Sequence, residues 1–490
     1  MKIFLMVFSA AIILSSCGRG RVGYVADEYE PEPPYAVTHP IIGSGMEEDK
    51  LPEQEESPLR DPERVRLWAE DIEVFRSHTL EVHPKIADSQ LSVLPRNMEI
   101  RQSFEEHLDA LMENLPYLSD FEIKVELQRG AAIFQDNHFF FGGLLGGSVS
   151  MDELYALRYP LRFRWFADGF YLYQSSAEFV SALNHRLIAV NGIPVAEVFQ
   201  EFKRFWSVEN IYDARNAFAE RLNSLLVLKA IGSPLGASAE NETIFSFVDQ
   251  AGTAFNILLT NPCRWEMCST TFRTIPPEPL VDSREPGELP LFLQNQGENF
   301  WFSLEDGILY VRINIYLADL DVHIAADGGA FYQAVRAALA ENDVNATIID
   351  ARNNPGGYSP PFERLFRLLA ESVPYGMFFY FTDEGSRSAS LWAAAYVKNL
   401  GATIVGQPLG QAADFYHHTS AGATSRTVLP NSGYALWVSN GFRFTSGYGF
   451  EFEDNVFRPD VLIYYTIDDW VNNRDPLFEY VLERIGGQNG

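Results

Sequence analysis

Ile348-Ile349-Asp350-Ala351-Arg352-Asn353-Asn354-Pro355-Gly356-Gly357 is the stretch on which the fold turns. Apolar residues from Ala346 to Asp350 predict a buried strand, and the polar residues after it predict a turn that leads into a helix. Two adjacent glycines let the backbone approach a ligand closely and point N–H groups at it. A tight strand-to-helix turn without chemistry accounts for the same residues. Working outward, apolar runs at Ile308–Ile313, Met377–Phe381, Thr403–Val405 and Tyr434–Ser439 alternate with helical patterns near 327–341, 360–371, 389–399 and 475–484. That alternation predicts an α/β core over residues 297–490.

Upstream the pattern changes. Val65, Leu67, Trp68, Ile72 and Phe75 recur at three-to-four spacing, as do Phe104, Leu108, Leu111 and Met112, with breaks at Pro84, Pro95 and Leu115-Pro116. Residues 61–150 therefore read as a helical bundle. In 151–265, strands are expected around Asp168-Gly169, at Leu187–Val190, and at 243–248 and 254–259; one helix is expected over 209–231. The Pro-rich stretch 266–296 reads as a linker.

Composition narrows the function classes. With 47% hydrophobic and 14% aromatic residues in 490, the chain is not disordered and has room for two or three domains. Against 37 Lys+Arg stand 66 Asp+Glu, a net charge of −29, which disfavours nucleic acid as a partner. Only Ile3 to Leu14 forms an unbroken apolar run, too short for a comfortable membrane span. With Lys2 before it and Ser15-Ser16-Cys17 after it, residues 1–17 read as a secretory signal peptide. Leu14-Ser15-Ser16-Cys17 resembles a bacterial lipobox, which implies a lipid on Cys17 and an extracytoplasmic, membrane-anchored protein. An ordinary signal peptide with an incidental cysteine is the alternative. Residues 18–60, rich in Pro, Glu and Gly, read as a flexible acidic tether. Cys263 and Cys268 either pair across a short loop or stay free. No CxxC or HExxH motif calls for zinc, and no metal or organic cofactor is expected.

Two more segments carry chemistry. Gly385-Ser386-Arg387-Ser388-Ala389-Ser390-Leu391 follows a strand and opens an alanine-rich helix. Serines there usually cap the helix, but the unpaired N–H groups and positive helix end also favour a developing oxyanion. Asp136-Asn137-His138 supplies a histidine, the side chain whose titration suits it to take a serine proton at neutral pH.

In combination these segments resemble the C-terminal-processing, or tail-specific, serine peptidases. The resemblance runs in order over roughly 60–485. Asp350 to Gly357 resembles the family's glycine motif, Ser388-Ala389-Ser390 its nucleophile segment, Gly406-Gln407-Pro408-Leu409-Gly410 the loop after the next strand, and Pro459-Asp460-Val461 with Asp475-Pro476 its C-terminal signature. It implies a crotonase-like α/β core, here preceded by the helical bundle and a degenerate PDZ-like segment. One branch of the family uses a serine–lysine dyad, but Gly410-Gln411-Ala412-Ala413 carries no lysine, and Leu391 replaces an acidic residue. The other branch, similar to the tricorn core, uses Ser–His–Glu. The resemblance then implies Ser388 as nucleophile, His138 as base and Glu453 as the orienting acid, with Glu451 and Asp454 as rivals for the acid and His417-His418 as a rival base. Ala389 and Gly356 or Gly357 would supply the oxyanion N–H groups, and the substrate would be a peptide or protein. A ligand- or peptide-binding protein on a peptidase scaffold is the second reading, and an esterase or amidase the third. Oligomeric state is not written in the sequence.

Overall fold

The computed structural model describes residues 61–141, 157–231, 242–260, 263–264, 280–316, 329–419, 425–450 and 452–487. The signal peptide and tether, Cys17, Cys268 and Glu451 lie outside the described residues. Among those described, no helix is long and apolar enough to cross a membrane.

Asp61 caps the first helix, Pro62–Val82, accepting the Glu63 N–H at 3.0 Å, with proline in the first turn. The helix buries Trp68, Ile72, Phe75 and Val82; Pro95–Asn114 buries Ile100, Phe104, Leu108 and Leu111 against it. Ser119 and Glu122 cap each other reciprocally to start Asp120–Ala132. These helices share one hydrophobic core with the following segment, through Phe163, Phe170, Phe202, Phe218, Phe245 and Phe247. That segment forms an antiparallel sheet in the order Leu280–Asp282, Gly169–Ser176, Arg186–Val190, Thr243–Val248, Ala254–Leu259, with Leu161–Phe166 pairing on Gly169–Ser176.

The single helix expected over 209–231 is two, Ile211–Arg221 and Leu225–Ile231. Between them Asn223 fastens the sheet: its carbonyl accepts from Tyr159 N–H at 2.8 Å and its Nδ2 donates to Leu161 O at 2.9 Å. Apolar periodicity continues across that break and conceals it.

The second sheet has six strands in the order Phe300–Glu305, Ile308–Ile313, Ala346–Asp350, Phe378–Thr382, Thr403–Gly406, Val461–Leu462, parallel except for the first pair. Its three central strands are apolar and buried on both faces, as parallel strands between helices must be. Leu365, Phe366, Leu391 and Ala394 cover one face; Phe292, Trp470, Leu477 and Val481 cover the other. At the end of Ala346–Asp350, Asp350 accepts from Arg312 Nη1 and Tyr310 OH, both at 2.7 Å, and from Arg352. Burial opposes its charge, but Arg352 and Arg312 outweigh that and hold its carboxyl at about 2. This buried network fixes the point from which the glycine turn leaves.

The run Tyr434–Ser439 does not join that sheet. Its strand, Ala435–Trp437, pairs with Arg426–Val428 and with Phe140–Phe141. A three-residue strand carries no sequence signal of its partner. The pairing Phe140↔Trp437 ties the segment just after His138 to the C-terminal third of the chain.

Candidate active site

Three successive parallel strands deliver the site from their C-terminal ends, where open α/β sheets bind ligands. Ala346–Asp350 leads to Gly356-Gly357, Phe378–Thr382 to Ser388, and Thr403–Gly406 to Gln411. Ser388 caps the helix Ala389–Asn399 at φ 51°, ψ −116°, a conformation that costs a non-glycine residue about 1–3 kcal/mol. Gly356 is at φ 106°, and a Cβ there would lie 2.5 Å from Ser388 Cβ. Gly357 is at φ 118°, and its Cβ would fall 1.5 Å from Tyr316 O. Both glycines are required by close approach.

The three serines of this turn separate by their bonding. Ser386 Oγ donates to Ala351 O at 2.9 Å and accepts from Asp383 N–H at 3.1 Å. Ser390 is fully buried with its Oγ 3.3 Å from Tyr380 OH. Ser388 Oγ makes no hydrogen bond among the described residues. Its backbone N–H donates to Gln411 Oε1 at 2.5 Å.

Gln411 is fully buried and reaches the histidine from the same amide. Its Nε2 donates to Glu209 Oε1 at 3.1 Å and Asn137 Oδ1 at 3.2 Å, and lies 3.4 Å from His138 Nδ1. The His138 ring stacks on Phe415 with centroids 6.1 Å apart and meets His418 edge-on at 5.7 Å. Asp136 Oδ1 accepts the His138 backbone N–H at 2.9 Å and stands 4.0 Å from Nδ1. Asp136 Oδ2 lies 3.1 Å from His83 Nε2; because His83 Nδ1 accepts the Lys85 N–H, Nε2 carries the proton and donates.

Burial pulls His138 down to about 4; Asp136 opposes this, while His418, His417 and Arg387 add to it. With only 21% of the side chain accessible, the ring is neutral at pH 7 and able to accept a proton. Burial works against the charge on Asp136, but the hydrogen bond from His83 and, at the low pH where Asp136 titrates and the histidines are protonated, the charges of His83 and then His138 hold its carboxyl far below the usual range. Glu209 is pushed well above that range by burial and by the charges of Asp136 and Asp213. Ligand atoms of Asp136, His138 and Glu209 lie within 4.8 Å of one another, spacing that suits a metal ion. The carboxyl oxygens of this cluster already accept from His83, the His138 N–H, the Asn137 N–H, Gln411 Nε2 and the Ala412 N–H, so none is left without a partner to call for an ion.

The structure therefore brings Ser388, His138, Gly356, Gly357 and Ala389 to one place, with Gln411 between Ser388 and His138. Gly356 N–H is taken by Asn354 Oδ1 at 2.8 Å, whereas the Gly357 and Ala389 N–H groups make no hydrogen bond among the described residues. Glu453 makes no hydrogen bond with any of these residues. It is exposed in a short turn, where its carbonyl accepts from Arg458 Nη1 at 2.9 Å, and its carboxylate has no hydrogen bond to His138. Asp454 is likewise exposed, 3.8 Å from Arg458 Nη2. His417 Nδ1 is 3.1 Å from the His418 carbonyl, and neither histidine bonds to Ser388. Sequence reasoning missed Gln411, Asp136 and Glu209 as site residues. The first sits where the dyad branch carries lysine and the second is inside the quoted Asp136-Asn137-His138, so both had a signal; Glu209 had none.

No protein-family model matches the chain, and no curated protein does. Among solved structures it is similar to the crystal structure of mature CPAF, with a TM-score of 0.54 and 14% identity over 86% of this chain and 96% of that one. The structure of mature CPAF complexed with lactacystin gives 0.54 and 12% over 86% and 98%. The photosystem II D1 C-terminal processing protease, 13% identical over 82% of this chain and 93% of that chain, superposes at only 0.37, too loosely to bear on the fold. At such identities the likeness to CPAF is one of fold: a mixed α/β chain built along the same course for most of its length.

Proposed function

We propose that the chain is a serine peptidase. One observation carries this reading: of three serines in the turn, only Ser388 has an unengaged hydroxyl, and it is the one held at a positive φ at a helix start. Ser388 Oγ would attack the scissile carbonyl carbon while His138 takes its proton. The oxyanion would be met by the open Ala389 and Gly357 N–H groups at the positive helix end. Collapse would break the C–N bond, pass the proton from His138 to the leaving amine, and leave an acyl-enzyme for water to hydrolyse. The resemblance to tail-specific peptidases and the CPAF-like fold support this reading; the resemblance also implies a crotonase-like core and a degenerate PDZ-like segment. The resemblance also proposes Glu453 as orienting acid, but its exposed position gives that role no support. A lipid on Cys17 would hold the enzyme on the extracytoplasmic face of a bacterial membrane; in that case Cys17→Ala releases it from the membrane fraction.

The second reading, a binding protein on a peptidase scaffold, has one observation in its favour: Ser388 Oγ and His138 do not share a hydrogen bond. Hydrolysis of a fluorogenic casein by the purified chain and by Ser388→Ala separates the two. Turnover that vanishes in the variant supports the peptidase; equal rates, or none from folded wild type, favour the binder.

A further inference from the structure

We infer that Asp136 is the acid that orients and charge-balances His138, with Gln411 as the positioning residue that ties the pair to Ser388. The inference rests on the serine-peptidase reading above and names a member of its catalytic unit.

The geometry comes from one short turn. Asp136 Oδ1 accepts the His138 N–H, and Asp136 O accepts the Phe139 N–H at 3.0 Å, so acid and base are folded onto each other by residues two apart. The turn is locked on its other side by Ser207, whose Oγ accepts from Asp136 N–H at 3.0 Å and donates to Asp136 O at 2.6 Å. His83, itself kept neutral by burial, donates to the second carboxylate oxygen. Asp136 is wholly buried and so fixed in place.

Charge assigns the role. Asp136 and Glu209 face the ring from the Nδ1 side, Arg387 from the nucleophile turn, and His417 and His418 from the segment after Gln411. The charge of Asp136 favours an imidazolium at His138, against those of His418, His417 and Arg387. At 4.0 Å it acts as an ion-pair partner, and its effect is greatest when His138 holds the serine proton. Gln411 Nε2, a donor shared with Glu209 and Asn137, lies 3.4 Å from Nδ1 on the same side of the ring and helps to hold its orientation.

Two measurements test this. The first compares pseudo-first-order inactivation by a fluorophosphonate probe in wild type, Asp136→Asn, Glu453→Gln and Ser388→Ala. Asp136→Asn is expected to lower kinact by roughly 10²–10⁴-fold with KI unchanged, in the range of triad-acid losses, while Glu453→Gln stays within about twofold of wild type. Wild-type kinact in Asp136→Asn, with labelling abolished in Ser388→Ala, overturns the inference and leaves the serine reading intact. Undiminished labelling in Ser388→Ala overturns that reading instead. The second measurement leaves Asp136 in place. Ser207→Ala, which removes the two hydrogen bonds that lock the Asp136 turn, is expected to slow labelling by up to about 10²-fold, the scale of a small misplacement of reacting groups. Wild-type kinact in the folded Ser207→Ala variant contradicts the inference.

Discussion

Ser388 N–H donates to Gln411 Oε1 at 2.5 Å, so the Ser388 backbone is held by a side chain from the next parallel strand's loop. The same amide reaches Glu209 and His138, which makes Gln411 the strut between Ser388 and His138. Gln411→Ala is expected to slow fluorophosphonate labelling by about 10²-fold, the scale of a small misplacement of reacting groups. Inactivation kinetics on the folded variant check it; a wild-type rate shows the strut to be dispensable.

Gly356 packs against Ser388 so closely that a methyl group there would stand 2.5 Å from its Cβ, on a backbone at φ 106°. Gly356→Ala is expected to cost on the order of 1–3 kcal/mol and to displace the nucleophile turn. A thermal melt and probe labelling on the same sample report both effects. Unchanged stability with full labelling means the turn relaxes freely.

The pH profile follows from the environment of His138. An isolated imidazole titrates near 6.5, and a base is active only while unprotonated. Burial lowers this ring to about 4, so the rate of Ser388 labelling should stay level from neutrality to about pH 5 and fall as pH drops through 4. A limb near 6.5 would mean that the ring is solvated.

Leu391 stands where the tail-specific peptidases that the sequence resembles carry an acid, and here it is fully buried in the core under the sheet. Leu391→Ala is expected to destabilise by about 2–5 kcal/mol through cavity formation, with labelling of the remaining folded protein unchanged. Denaturant melts beside labelling at low denaturant check it. Loss of labelling without loss of stability would give Leu391 a part in the site.

Much of this arrangement was legible before the structure. The buried strands Ile308–Ile313 and Ala346–Asp350 and the helix Ala389–Asn399 stand where apolar runs and alanine content put them, because each makes its pattern within one element. The glycine pair was readable because only glycine tolerates such approach. What stayed hidden depends on pairing across the chain. Ala435–Trp437 is too short to reveal its partner Phe140–Phe141, and Glu209 reaches the site from a helix connection with no motif around it. Order along the chain points to Glu453 but says nothing of where a carboxylate points.

The central claim is that Ser388 is an activated nucleophile served by His138. Peptide mapping by mass spectrometry after fluorophosphonate treatment at pH 7 tests it most directly. One phosphonyl adduct is expected, on Ser388, present in wild type and lost in His138→Ala, with Ser386 and Ser390 unmodified. An adduct on either neighbouring serine, or a Ser388 adduct formed equally fast without His138, would contradict the account.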